Sequence, residues 1–240
     1  MRVAFRRFGS GPRTFVLVHG LGVSGSYFVP LARALGRSGL VIVPDLPGTG
    51  HSVGSGRPFG VSAQAEVLAD LITRAAPDEP PVLVGNSLGC QIVLDLASRR
   101  LAAHGELVLI GPSVDPRYRS VLRQLGTMAV DLAREPAALW PIVVRDYLVT
   151  GPVGVFVAAL SALADRPEDK LRLLDSPVLV LRGEHDPLTT RAWAERCARI
   201  APNGRFEAVP DAAHAPHFSR PAFVAARIES FLTERDDRAK

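Results

Sequence analysis

Short apolar runs recur along this chain of 240 residues, and stretches with helical periodicity lie between most of them. The runs are rich in Val and Leu and are closed by Gly, Pro or Asp. Continuous apolar runs of this kind are typical of parallel strands buried on both faces. They predict strands at residues 15–18, 41–43, 82–84, 107–110, 178–181 and 206–209, with an edge strand at 3–8.

The intervening periodicity predicts helices at residues 28–35, 62–75, 91–100 and 190–200. Strands that alternate with helices indicate the α/β class. We therefore expect a mostly parallel central sheet with helices on both of its faces.

Residues 113–175 break this alternation, because they contain no strand pattern. They predict helices at 117–134, 137–149, 153–164 and 167–174, separated by Pro and Gly. Such a connection is long for an α/β domain. We expect residues 113–175 to form a helical lid, or cap, inserted into a core domain of residues 1–112 and 176–240. The alternative is an ordinary run of core helices.

The lid segment is apolar for a surface insertion, so it is expected to bury that surface on the core or on a ligand. Its bulkiest side chains are Trp140, Tyr147 and Phe156. We expect these three residues to line an apolar substrate pocket.

Composition and charge narrow the function classes. The net charge is +4, but the arginines are scattered and accompany no nucleic-acid-binding motif, so we expect no nucleic acid partner. Two distant cysteines indicate no disulfide framework and fit a reducing compartment. We find no signal peptide and no apolar run of about 18 residues, so we expect a cytoplasmic protein without a membrane partner. The oligomeric state stays open.

The candidate nucleophile is Ser87, at the centre of the motif Gly85-Asn86-Ser87-Leu88-Gly89. The motif follows a predicted strand and precedes a predicted helix, the context in which a tight turn exposes a serine hydroxyl. A second match surrounds Ser52, but turn residues precede it and no helix opens after it. We therefore favour Ser87; the alternative for Ser87 is a plain strand-to-helix turn.

A serine hydroxyl needs a base, and the base needs a carboxylate that fixes its tautomer. His214 follows the last predicted strand, and we favour it over His217 because it lies closer to the strand end. Asp186 follows the preceding strand and stands before Pro187, which favours an extended or turn conformation. Glu184 and Asp115 are the alternative acids.

An oxyanion site needs backbone amides near the nucleophile. The amide of Leu88 follows Ser87 directly, and Leu21 lies between Gly20 and Gly22 in the loop after an early strand. We expect the Leu21 and Leu88 amides to form this site. His19 is expected to hold the loop rather than to transfer protons.

These motifs together resemble those of the α/β-hydrolase fold family, in its lid-bearing serine hydrolase or esterase form. The resemblance covers nearly the whole chain and keeps the family's order of Ser, Asp and His. It implies that Ser52 closes a structural loop, and it implies no metal or organic cofactor. The segments that carry it are His19-Gly20-Leu21-Gly22, Asp45-Leu46-Pro47-Gly48-Thr49-Gly50-His51-Ser52, Gly85-Asn86-Ser87-Leu88-Gly89, Gly183-Glu184-His185-Asp186, and His214 with Pro221 and Phe223.

The chain also departs from the family pattern. Ser219 stands where relatives often have Glu, and Cys90 stands where many have a second glycine. Asn86 is similar to the residue in relatives that hydrolyse carbon–carbon bonds, but those usually have Trp where this chain has Ala215.

We expect a serine hydrolase that cleaves a small, largely apolar carboxylic ester, lactone or thioester through an acyl-enzyme. One alternative is hydrolysis of a carbon–carbon bond in a diketone-type ring-fission product. Another is a non-catalytic ligand-binding protein on the same fold.

Overall fold

The structure, a computed structural model, describes residues 3–52, 60–75 and 79–238. Its centre is a seven-stranded sheet in the order β1-β3-β2-β4-β5-β6-β7. Strand β1 pairs antiparallel with β3, and the other strand pairs are parallel, which confirms the predicted mostly parallel sheet. The strands are β1 Phe5–Phe8, β2 Thr14–Val18, β3 Leu40–Pro44, β4 Val82–Asn86, β5 Leu107–Ile110, β6 Val178–Gly183 and β7 Arg205–Val209.

Helices cover both faces of this sheet. The helices outside residues 113–175 are α1 Val29–Leu35, α2 Val61–Ala75, α3 Leu88–Ser98, α7 Arg191–Ile200, α8 Pro216–Ser219 and α9 Pro221–Arg238. Alternate residues of the strands pack with α2, α3 and α7 on one face and with α1 and α9 on the other. Because side chains alternate across a strand, fully apolar strands can supply both cores. Sequence analysis did not predict α8 or α9.

Residues 113–175 are helical, as predicted. They form α4 Val121–Arg134, α5 Trp140–Ala164 and α6 Pro167–Arg172, with single 3₁₀ turns at Pro116–Tyr118 and Ala137–Leu139. Helix α4 begins later than predicted because Asp115 caps the preceding turn, accepting a hydrogen bond from the Arg117 amide at 3.0 Å. Helix α5 is interrupted at Gly151, whose φ of 70° is not helical, so its two arms correspond to two predicted helices.

The α5 region contains a longer apolar stretch than the sequence pattern predicted. Within Ala137–Ala164, a stretch of 18 residues has a mean hydropathy of 1.8, and 6% of this stretch is buried. Among the described residues, this is the one helix long and apolar enough to span a membrane by length and composition alone. The sequence pattern predicts two shorter helices here, because Gly151 and Pro152 lie between them.

Candidate active site

Ser87 lies at the turn from β4 into α3 and is half-buried. Its φ of 54° and ψ of −118° are unusual for a residue with a side chain, a conformation that costs about 1–3 kcal/mol. The turn is tight: a Cβ at Gly89 would lie 2.1 Å from the Val18 carbonyl oxygen, and one at Gly85 would lie 2.6 Å from the Gly89 backbone. Only glycine fits at these two positions. Steric crowding therefore explains why the motif has a glycine two residues before and two residues after Ser87.

The His214 ring and the Asp186 carboxylate meet at the same edge of the sheet. His214 Nδ1 lies 2.8 Å from Asp186 Oδ2, and both side chains are buried. Burial lowers the pKa of the imidazole, but Asp186 and two further carboxylates raise it, so the pKa of His214 rises to about 9. Burial raises the pKa of Asp186, but His214 and the Thr189 amide bring it below its ordinary value.

The other ring nitrogen of His214 is the one that could accept a proton from Ser87. His214 Nε2 is buried and makes no hydrogen bond with any described residue. No hydrogen bond joins His214 Nε2 to Ser87 Oγ in this structure. Both residues nevertheless lie at the carboxyl edge of the sheet, Ser87 after β4 and His214 after β7. Such contacts are often long in ligand-free sites and tighten when substrate binds.

The loop that carries Asp186 is held by a residue that sequence analysis missed. Asp186 Oδ1 accepts hydrogen bonds from the amides of Leu188 and Thr189, at 2.8 and 2.9 Å. The buried guanidinium of Arg182 donates to the carbonyls of Thr189, Glu184 and Asp186, at 2.6, 3.0 and 2.7 Å. Asp186 is therefore fixed through its side chain and its main chain.

Gly111, at the end of β5, is a second residue that sequence analysis missed. Its φ is 56°, and a Cβ there would lie 2.9 Å from two atoms of the His214 ring and 3.2 Å from Asp186 Oδ2. The space occupied by the His214–Asp186 pair thus depends on the lack of a side chain at this position. A glycine directly after a predicted strand was the available sequence signal.

The predicted oxyanion loop lies beside Ser87. A Cβ at Gly20 would be 3.1 Å from the Ser87 Cβ, so Leu21 follows a residue in direct contact with the nucleophile turn. Among the hydrogen bonds of the described loops and turns, none is donated by the Leu21 or Leu88 amide. The role of these two amides as oxyanion donors stays a prediction.

His19 holds this loop, as the sequence indicated. The Leu46 amide donates to His19 Nε2 at 2.9 Å, which leaves Nδ1 as the protonated nitrogen, 3.0 Å from the Gly20 carbonyl oxygen. Burial lowers the pKa of His19 and keeps its ring neutral.

Asn86 and Tyr27 connect the loops around Ser87. The Tyr27 hydroxyl accepts a hydrogen bond from the Gly20 amide at 2.9 Å and donates one to Asn86 Oδ1. Asn86 Nδ2 donates to the carbonyls of Ile110 and His214, both at 3.1 Å. The Asn86 side chain therefore has a structural role, which the sequence did not indicate.

The alternative residues have other partners. Ser52 Oγ accepts a hydrogen bond from the Ala4 amide at 2.8 Å and is buried. The His217 ring lies against Tyr27 and Phe28, with centroids 4.4 and 4.3 Å apart, and burial lowers its pKa well below the ordinary value. Asp115 bonds Arg117 and Thr190 rather than a histidine.

Of the three aromatic residues predicted to line the pocket, Tyr147 is the one for which the described residues show a close contact with the predicted oxyanion loop. Its ring lies so close to Gly22 that a Cβ there would be 2.8 Å from a ring carbon. Trp140 and Phe156 are 45% and 57% exposed, and the Trp140 indole donates to the Leu132 carbonyl. The expectation that all three line an apolar substrate pocket stays a prediction, with Trp140 and Phe156 more exposed than Tyr147.

Side chains with the right chemistry for a cation occur beside the site. Glu184, His185 and Asp211 are exposed, and their possible ligand atoms lie within 4.8 Å of one another. The Asp211 carboxylate already pairs with Arg220 at 3.0 Å, and Arg134 lines the same cleft. We assign no metal to this group, since two guanidinium groups compete with a cation there.

The sheet, the turn at Ser87 and the His214–Asp186 pair define a protein of the hydrolase class, and comparisons with known proteins agree. A model of the alpha/beta hydrolase family matches residues 15–227. The chain is 30% identical to the pimeloyl-[acyl-carrier protein] methyl ester esterase of Serratia marcescens, over 95% of this chain and 97% of that protein. A thermophilic esterase from Thermogutta terrifontis has a similar structure, with a TM-score of 0.78 and 26% identity over 97% of this chain and 93% of that one.

A further relative is far longer. Polyketide synthase ThaQ of Burkholderia thailandensis is 29% identical over 97% of this chain, but the chain spans only 12% of its length. The family match covers most of the chain, so the chain belongs to the alpha/beta hydrolase family, and it is a hydrolase.

Gly111→Ala is expected to lower the turnover of a chromogenic acetyl ester about 100-fold, because a displacement of about 1 Å at a catalytic group has an effect of that size. Gly48→Ala is the matched control, since Gly48 also has a positive φ but no atom of the described residues within 4 Å of its Cβ position. Turnover and thermal melts of both variants check this. Full turnover in folded Gly111→Ala would contradict it.

Proposed function

We propose that this protein is a carboxylic ester hydrolase in which Ser87 is the nucleophile, His214 the base and Asp186 the acid. The observation that carries the proposal is the 2.8 Å contact between His214 Nδ1 and Asp186 Oδ2, with Nε2 buried and unpaired among the described residues. A histidine oriented in this way, next to a serine in a strained turn, has the arrangement that nucleophilic catalysis requires.

The proposed reaction begins when Ser87 Oγ attacks the carbonyl carbon of the ester and His214 Nε2 takes the hydroxyl proton. The Leu21 and Leu88 amides stabilise the oxyanion that forms. The intermediate then expels the alcohol, which receives the proton from His214. Water, activated by the same histidine, hydrolyses the acyl-enzyme and regenerates Ser87.

Asp186 has two roles in this scheme. Its contact with Nδ1 keeps the proton on that nitrogen, so Nε2 is free to act as the base. Its negative charge stabilises the imidazolium that forms as Ser87 attacks.

The proposed substrate is a small, largely apolar acyl compound, with an ester ahead of a lactone or thioester. Residues 113–175 would act as the lid over the core, and Tyr147 would form part of the acyl pocket because it packs against Gly22. The name of the Serratia marcescens relative makes a methyl ester the first substrate to test. Cys90 and Cys197 are buried free thiols, which supports a cytoplasmic location.

The carbon–carbon alternative rests on the resemblance at Asn86. That side chain bonds Tyr27, Ile110 and His214, and these structural contacts do not depend on either substrate. A non-catalytic binder would not need the buried His214–Asp186 pair, whose assembly leaves His214 Nε2 without a partner among the described residues.

Ser87→Ala is expected to abolish ester turnover and labelling by a fluorophosphonate probe, because it removes the attacking oxygen. Ser52→Ala should keep most activity but lose about 1 kcal/mol of stability, since it leaves the Ala4 amide unpaired. Probe labelling followed by mass spectrometry, with thermal melts, checks both variants. Probe attachment at Ser52 instead of Ser87 would contradict the assignment.

Asp186→Asn is expected to lower kcat about 10⁴-fold, the effect known for loss of the acid from such a triad. The base must be neutral, so kcat/KM should rise with pH through the raised pKa of His214. Removing the carboxylate should lower that pKa, so the acid side of the profile should move to lower pH. Asp115→Asn should change neither quantity. If Asp115→Asn had these effects and Asp186→Asn did not, the acid would be Asp115, in the loop after β5.

Tyr147→Ala is expected to change the preference for acyl chain length by about 10-fold or more, because a methylene-sized change in a hydrophobic contact is worth about 1–3 kcal/mol. Acetyl esters should still turn over, since the catalytic groups lie on the core. Trp140→Ala and Phe156→Ala, at the more exposed residues, should change this preference less than Tyr147→Ala. A chain-length series of p-nitrophenyl esters measures this, and an unchanged profile in Tyr147→Ala would remove that residue from the pocket.

A further inference from the structure

Two carboxylates from residues 113–175 contact the main chain that carries His214. Asp131, in the last turn of α4, accepts a hydrogen bond from the His214 amide at 3.0 Å. Glu135, the residue directly after this helix, accepts one from the Ala215 amide at 2.6 Å. Asn86 Nδ2 donates to the His214 carbonyl. Both polar main-chain groups of His214 therefore bond side chains that are distant in sequence.

Local electrostatics oppose this pair of carboxylates. They are four residues apart, where like charges repel, and they stand at a helix C-terminus, where the dipole favours cations. Glu135 is 7% exposed, and its Oε2 has no hydrogen-bond partner among the described residues. Burial and the charge of Asp131 raise the pKa of Glu135 to about 7. Burial, opposed by His214, also raises the pKa of Asp131.

Contacts with the loop that carries His214 offset the burial and mutual repulsion of these two carboxylates. Asp131 and Glu135 both raise the pKa of His214, adding to the larger effect of Asp186 and working against burial. Other charged groups face the same cluster from neighbouring elements. Arg134 of α4 acts on Asp131, Arg182 of β6 acts on Asp186, and the neutral ring of His217 in α8 neighbours His214.

We propose that Asp131 and Glu135 are positioning residues for the base His214. Their oxygens hold the main chain of residues 214 and 215, and their negative charges stabilise the imidazolium that forms during ester hydrolysis. The effect on turnover rests on the proposed function, but the effect on the His214 ring can be measured without substrate. Residues 113–175 then contribute to proton transfer as well as covering the site.

Glu135→Gln and Asp131→Asn test the charge, because each keeps an oxygen that can accept the backbone hydrogen bond. The pKa of the His214 ring is measured by NMR titration, with its signal assigned by loss in His214→Gln. Less negative charge makes the imidazolium less stable, so the pKa of His214 should fall by about one unit in each variant. The acid side of the pH profile of kcat/KM for p-nitrophenyl acetate should move in the same direction.

Asp165→Asn is the matched control. Asp165 belongs to the same segment, and burial likewise raises its pKa, but its partner is Lys170 rather than the His214 loop. This variant should leave the pKa of His214 and the pH profile unchanged. An equal shift in Asp165→Asn would mean that the effect is not specific to the two carboxylates and would overturn the proposal.

Glu135→Leu tests the hydrogen bond, because it leaves the Ala215 amide without an acceptor. It should lower kcat about 10-fold with little change in KM, whereas Glu135→Gln should retain most of kcat. If Glu135→Leu does not fold, comparison of the Gln and Asn variants with wild type still decides the question. Thermal melts of all variants establish that the compared proteins are folded.

The outcomes separate the two proposals. An unchanged pKa of His214 in folded Glu135→Gln and Asp131→Asn overturns the positioning role, even if wild-type ester turnover is normal. Absence of turnover and of Ser87 labelling in the wild type overturns the proposed function. A fall in the pKa of His214 in the same variants would then still support the contact between α4 and the histidine.

Discussion

The backbone conformation of Ser87 is the constraint on which the rest of the site depends. A serine with a φ of 54° keeps that conformation only where its surroundings over-determine it. Its amide bonds the Ile110 carbonyl at 3.0 Å, which ties the turn to β5, and Gly89 lets α3 approach the Val18 carbonyl of β2. The serine therefore keeps its place at the strand ends only while β2, β4 and β5 keep their register.

A buried polar network extends this constraint to the other loops. Tyr27 and Asn86 connect the Gly20 amide, the Ile110 carbonyl and the His214 carbonyl, so the oxyanion loop, β5 and the histidine loop share one set of hydrogen bonds. In a low-dielectric interior such a network is rigid when all its members are paired. That rigidity is useful for a site whose donors must already point at the charge that develops during the reaction.

The helical segment between β5 and β6 bonds the core at several places, and two sets of these bonds reach the loops around the site. On α5, the buried carboxylate of Asp146 accepts a hydrogen bond from the Ser24 amide at 2.7 Å, and the Thr150 hydroxyl donates to the Gly22 carbonyl at 3.1 Å. On α4, Asp131 and Glu135 bond the histidine loop. A change in the position of this segment would therefore affect the oxyanion loop and the histidine loop together.

The sequence by itself determined the sheet, most of its helices and the candidates Ser87, His214 and Asp186, because apolar periodicity, strand ends and the glycines around a tight turn are local signals. It did not reveal α9, Tyr27, Arg182, Gly111 or the roles of Asp131 and Glu135. Asn86 and His214 are 128 residues apart, and Asp131 and His214 are 83 apart, yet both pairs are hydrogen-bonded. Periodicity reports which residues are buried, whereas the partner of a buried polar group depends on the strand order and on where each loop crosses the sheet edge. Only the tertiary structure decided those partners, since a polar side chain removed from water must bond whatever group the fold brings within reach.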